Sequence, residues 1–174
     1  MNFTIAAAIE ILEQTPGTLT HMLQNLSASW TTNNEGGDTW SVYDVIGHLA
    51  HGERTDWMTR AELILSDNTD KTFKTFDRFA QFKASEGKSL QQLLDEFTIL
   101  RTANIKNLRS KNLIEKDLHK TGTHPVFGEV TLSQLLSTWT VHDLDHISQI
   151  SRVMAKQYKE AVGPWIDYLK IVRQ

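Results

Sequence analysis

Apolar residues recur at intervals of three and four along most of the chain, the period of an amphipathic helix. In the first such stretch Ile9, Leu12, Leu19, Met22, Leu23 and Leu26 share a face, which predicts a helix from about Phe3 to Leu26. Thr15-Pro16 inside it reads as an N-cap followed by proline at the first helical position, so a kink or restart is expected there. A polar loop, Thr31–Thr39, follows. Ser41 and Asp44 make a capping-box pair that opens a second helix, expected to reach about Leu65. Ser89 and Gln92 open a third, carried by Leu90, Leu93, Leu94, Phe97, Leu100 and Ile105 to about Leu108. Thr131 and Gln134 open a fourth, reaching about Tyr158, with Leu132, Leu135, Leu136, Trp139, Ile147, Ile150, Val153 and Met154 as its apolar stripe.

The connections are uneven. Segment Ser66–Gly87 is mixed, and Phe73, Phe76, Phe79 and Phe82 at three-residue spacing predict an aromatic ladder that pins a loop and short helical turns onto the helices. Asp117–Val130, with Gly122, His124-Pro125 and Gly128, is expected to form a small hairpin or an ordered loop. Gly163-Pro164 breaks the chain before a short C-terminal segment, Trp165–Val172. The fold class expected is all-α: a four-helix bundle with a long irregular middle segment, residues 1–174 forming one domain.

Composition narrows the chemistry. Hydrophobic residues make up 40% of the 174 and charged residues 22%, a globular balance. With 18 basic and 21 acidic residues the net charge is −3, so neither nucleic acid nor an anionic membrane is expected as a partner. The absence of cysteine excludes disulfides, thiolate zinc sites, iron–sulfur clusters and cysteine nucleophiles. Any transition-metal site must then rest on His, Asp and Glu, and there are 7 His. The opening MNFTIAAAIEILEQTPG lacks the basic start of a signal peptide, and no apolar run approaches the ~18 residues of a membrane span, so a cytoplasmic location is expected.

His142 and His146 lie one turn apart on the fourth helix, about 40° apart on the wheel, so their rings point the same way. Both fall on the edge or inside of the apolar stripe, where neutral imidazoles need hydrogen-bond partners or a metal. A pair of satisfied core histidines fits the pattern as well as a metal pair does. An open metal site needs a third ligand, and His48, His51, Glu53 and Asp143 are the candidates. His48 flanks the stripe of the second helix, a position suited to a groove between helices, whereas His51 is expected in solvent or near a rim. Glu53 and Asp143 fall near the centres of their stripes. Each is either a group that orients a ligand or moves a proton, or the partner of a cation such as Arg54 or Arg152.

Gln149, three residues beyond His146, stands beside His142 within reach of a metal-bound water or a substrate, or is a plain structural amide. Trp139, one turn before His142, is a candidate for lining a pocket. His119 and His124 precede the fourth helix and are either surface residues or part of the site's mouth; His21 reads as structural.

The string Trp40–Arg54 (WSVYDVIGHLAHGER) resembles the second-helix signature of the DinB-like superfamily, and His142–Ile150 (HDLDHISQI) is similar to its HxxxHxxQ signature. LEQTPGTL (Leu12–Leu19) and GPWIDYL (Gly163–Leu169) fit the same group. The resemblance implies a four-helix bundle in which three histidines, mapping onto His48, His142 and His146, hold a divalent metal such as zinc, nickel or iron. It implies homodimers, and relatives that are thiol S-transferases using external low-molecular-weight thiols (bacillithiol or mycothiol). From it follows the expectation of a metal-dependent enzyme transferring such a thiol to small electrophiles. Two alternatives stay open: a metal-dependent hydrolase, and a metal-binding bundle with a binding, sensing or structural role.

Overall fold

A computed structural model describes residues 3–173. Helix α1 (Ile5–Leu23) starts at Thr4, whose side chain accepts from the Ala7 N–H. It runs unbroken through Pro16, so the expected restart does not occur, and Thr15 is no cap: its hydroxyl donates back to Ile11 O. Proline has no N–H to offer the carbonyl four residues earlier, here that of Leu12. That carbonyl instead accepts a 2.8 Å hydrogen bond from the Arg101 guanidinium, so a side chain from another helix fills the gap proline leaves. Leu26 lies beyond the helix and is exposed.

A short helix α2 (Ala28–Thr32) and a loop lead to α3 (Val42–Thr55), opened by the Ser41–Asp44 capping box. The second helix was expected to continue to Leu65. It breaks at Asp56 (φ −117°, ψ −73°) and resumes as α4 (Trp57–Leu65). Helix α5 (Ala80–Ser85) lies on α3. Helices α6 (Leu90–Ser110) and α8 (Leu132–Lys156) open on the capping boxes at Ser89 and Thr131. Between them, a turn of helix α7 (Glu115–Leu118) precedes an antiparallel hairpin of β1 (Thr121–His124) and β2 (Gly128–Thr131), with Thr121 opposite Thr131. Two 3-10 turns follow, Gly163–Tyr168 and Lys170–Val172, the second of which packs on α8.

Helices α1, α3 with α4, α6 and α8 form the four-helix bundle. Its apolar interior is divided into two clusters. One holds Leu19, Val45, Ile46, Leu49, Leu94, Phe97, Ile150 and Val153. The other holds Leu12, Trp57, Ile64, Phe73, Ile105, Leu136 and Trp139, and is closed by the hairpin. Each helix crosses from one cluster to the other through a buried polar residue: Thr15 on α1, Glu53 on α3, Arg101 on α6 and Asp143 on α8.

The aromatic ladder holds in part. Phe73 is buried and Phe76 half-buried, but Phe79 and Phe82 stand exposed. Two glycines permit close approaches. A Cβ on Gly122 would meet the Phe73 ring at 2.6 Å, which lets the hairpin sit directly on the core. A Cβ on Gly47 would meet Ser85 Oγ at 2.4 Å and Gln81 Oε1 at 2.6 Å, which fixes how near α5 lies to α3. Gly47→Ala is expected to leave a folded protein that is about 1–3 kcal/mol less stable, read as a lowered thermal midpoint by circular dichroism. An unchanged midpoint would mean that α5 does not dock on α3 at this distance.

Candidate metal centre

The three histidines on α3 and α8 meet at the edge of the polar layer. The Nε2 atoms of His48 and His142 are 3.2 Å apart and those of His142 and His146 are 3.0 Å apart, with all the candidate ligand atoms within 4.8 Å of one another. His48 and His146 are 7% and 8% exposed and His142 is half-buried. The Gln149 carbonyl oxygen lies 2.7 Å from His146 Nδ1. An amide oxygen only accepts, so the His146 proton sits on Nδ1 and the Nε2 lone pair is left facing its neighbours.

Hydrogen bonds among the rings do not account for this convergence. His142 Nε2 faces two other Nε2 atoms but carries only one proton or one lone pair, so it can serve one of them. The Nδ1 atoms of His48 and His142 are buried without a partner. Three imidazole nitrogens on a tetrahedral ion with bonds of ~2.0–2.1 Å stand roughly 3.3 Å apart, close to the separations found here. The donor set therefore fits a divalent transition metal. Among the described residues no further Asp, Glu or His joins the three, which leaves a fourth position free.

All three imidazoles are held below their ordinary pKa, His48 to about 3, His142 to about 2 and His146 downward. Burial is the main cause throughout; neighbouring histidines add to it for His48 and His142, while Gln149 works the other way on His146. The ligands thus stand neutral near pH 7, with no proton to displace.

Aromatic rings enclose the group: Trp40 lies 4.9 Å from the His48 ring, Phe76 5.6 Å from it, and Trp57 5.0 Å from the His142 ring. A cavity of about 730 Å³ lies beside the histidines rather than over them, between α3–α4 and segment 66–80. Phe76 is the wall between the two, against His48 on one side and 5.2 Å from His51 on the other. His142 itself opens onto a shallower groove with Val141 and Asp145.

Several expectations are corrected. His51 is not in solvent: it is 9% exposed, packed on Phe76, and faces the large cavity apart from the three histidines. Trp139 does not line a pocket. It is fully buried, stacked on Trp57, and its indole N–H donates to Glu53 Oε1 at 2.8 Å. Gln149 touches His146 rather than an open coordination position. Arg54 pairs with Glu96 and Arg152 with Glu35, so neither neutralises Glu53 or Asp143. Both carboxylates bind Arg101, which donates to Asp143 at 2.6 and 2.9 Å and to Glu53 at 2.8 Å.

Sequence reasoning passed over Arg101, although a signal was present. It stands four residues after Phe97 and four before Ile105, on the core stripe of α6, where only a paired cation is tolerated. His119 is exposed beside Glu115, and His124 stacks on Phe127 at the hairpin; neither belongs to the group. His21 is exposed and bonds only to Gly17 O of its own helix.

The architecture is a four-helix bundle with three histidines converging between two of its helices. The sequence profile of the DinB superfamily matches residues 11–150, and the chain belongs to that family. YfiT from Bacillus subtilis, described as "a probable metal-dependent hydrolase with an unusual four-helix bundle topology", superposes with a TM-score of 0.74 at 21% identity, covering 93% of this chain and 91% of that one. That likeness shows the fold. No curated protein matches the chain. Among the described residues no helix is long and apolar enough to cross a membrane.

The depressed histidine pKa values make stability depend on pH. Because the folded values lie below the unfolded value of ~6.5, the unfolded chain takes up protons first as pH falls. The metal-free protein is therefore expected to keep its full stability above about pH 6.5 and to lose it below, by at most about 1.4 kcal/mol per pH unit per histidine. Asp56 opposes this: burial raises its pKa to about 6 despite its ion pair with Arg60. It is one group against the three, and burial lowers the pKa of His51 and His124 in the same direction as theirs. Urea midpoints at about pH 7.5 and about pH 5 should differ clearly in the wild type and much less in a His48→Gln/His142→Gln double variant. Equal pH dependence in the two would show that the histidines are not buried neutral.

Proposed function

We propose that the chain is a metal-dependent enzyme whose ion is held by His48, His142 and His146 and whose fourth position activates a small nucleophile. The observation that carries this is the convergence of three neutral Nε2 atoms with, among the described residues, no fourth protein ligand beside them. A structural site is closed by four protein ligands, whereas a catalytic one keeps a position free. A divalent ion there would supply Lewis acidity, lowering the pKa of a bound thiol or water toward neutral.

The chain's own residues support such chemistry. Gln149 fixes the His146 tautomer, and Trp40, Trp57 and Phe76 keep bulk water from the imidazoles. The 730 Å³ cavity beyond Phe76 is of a size that holds a small molecule, with His51 and the Asp56–Arg60 pair on its wall. The reaction we favour is transfer of an external low-molecular-weight thiol to a small electrophile. The protein has no cysteine, so the sulfur nucleophile must come from outside. Hydrolysis is the second reading, favoured by what YfiT is described as doing.

Elemental analysis of the purified wild type beside His146→Ala tests the metal. Near-stoichiometric zinc, nickel or iron in the wild type, lost in the variant, is expected. Thiol consumption in the presence of a model electrophile should then require the metal. Wild-type protein that stays metal-free after incubation with each ion would remove the enzyme reading. Metal-dependent ester or amide cleavage without thiol turnover would replace transfer by hydrolysis.

A further inference from the structure

We propose that Arg101, held between Glu53 and Asp143, is the positioning group of the metal centre, and that the same cluster supplies the negative charge that an all-imidazole ligand set does not bring. The proposal rests on the metal reading above and extends it to residues that touch no ligand or substrate.

The first strand of the argument is geometric. Arg101 is 1% exposed, and its two terminal nitrogens make four bonds that reach every long helix of the bundle. Nη1 donates to Leu12 O on α1 and Asp143 Oδ2 on α8; Nη2 donates to Asp143 Oδ1 and to Glu53 Oε1 on α3. Glu53 is fixed again by Asn104 Nδ2, at 2.9 Å on the other oxygen Oε2, and by Trp139 Nε1, which shares Oε1 with Arg101 at 2.8 Å. Planar guanidinium and carboxylate groups meeting through paired hydrogen bonds tolerate little rotation.

The clamped carboxylates lie on the two helices that carry the histidines. Asp143 is next to His142 and three residues before His146, while Glu53 is five residues after His48. One guanidinium thus sets the rotation and register of both ligand-bearing helices relative to each other. A residue's worth of rotation is about 100° of a helix, enough to carry any of the three rings out of the group.

Charge is the second strand. The candidate ligands are three imidazoles, and an imidazole binds a metal through a neutral nitrogen, so they bring no anion to a dication. Behind them the cluster holds two carboxylates against one guanidinium, an excess of one negative charge in a layer sealed from water on both sides by apolar side chains. In such surroundings a fixed charge is screened little, and an adjacent cation is stabilised by it.

The test uses the full-length protein titrated with Co²⁺, whose visible absorption reports coordination geometry and whose affinity is read by competition with a chelator. Glu53→Gln and Asp143→Asn each remove one carboxylate charge with little change of shape; Arg101→Lys keeps the charge but loses the fork. Arg109→Met, on the exposed pair with Glu13, serves as a control. Circular dichroism checks that each variant is folded.

The carboxylate variants are expected to bind Co²⁺ about 10- to 100-fold more weakly, the usual effect of outer-sphere changes, with the control unchanged. Arg101→Lys is expected to alter the shape or intensity of the Co²⁺ bands. Folded variants with wild-type affinity and spectrum would overturn the proposal and leave the cluster as a fold stabiliser only. If Asp143→Asn and Arg101→Lys do not fold, Glu53→Gln decides alone, since of the two carboxylates Glu53 lies further from a ligand histidine in sequence. A wild type without any Co²⁺ spectrum would overturn the metal reading itself, an outcome distinct from insensitive variants.

Discussion

A guanidinium buried between two carboxylates holds the middle of this bundle together. Arg101 is closed off by apolar clusters on both sides, and desolvation alone would favour its neutral form. Glu53 and Asp143 outweigh that cost and keep it charged, above its ordinary pKa. Such a group is tolerated only when nearly every donor is used, and here only Arg101 Nε lacks a partner. Removing one member of a buried ion cluster typically costs about 3–5 kcal/mol, because the charge left behind has nowhere to go. The layer therefore ties all four long helices together through one side chain.

The histidines occupy the rim of this layer. Being on the rim leaves them beside an aromatic wall, with His142 at a shallow groove that reaches the group, while the inner side of the layer is packed by the apolar clusters. Pro16 belongs to the same design: by withholding an N–H it frees the Leu12 carbonyl, which becomes the fourth acceptor of Arg101. A residue that looks like a helix breaker is in this setting the means of tying α1 to the layer.

Much of this was legible in the sequence because it is local. The capping boxes at Ser41, Ser89 and Thr131 depend on residues three apart, and each marks a helix start in the structure. The His142–His146 spacing and the stripe positions of Glu53 and Asp143 are likewise properties of single helices. What was not legible is what depends on other helices. The helix continues through Pro16 because of a side chain 85 positions away in sequence terms, since Arg101 follows it by that interval. The carboxylates ignore nearby Arg54 and Arg152, whose side chains leave the core for Glu96 and Glu35, and take a cation from α6. The covering of His51 by Phe76 likewise comes from segment 66–80, which the pattern of the second helix carries no trace of.

X-ray absorption at the metal K-edge of the purified, metal-loaded protein bears most directly on the central claim. The expected spectrum has three imidazole nitrogens at about 2.0–2.1 Å, recognisable by their outer-sphere scattering, and one further light atom. A shell of oxygens with one imidazole or none would contradict it, placing the ion on surface carboxylates and leaving His48, His142 and His146 as core histidines.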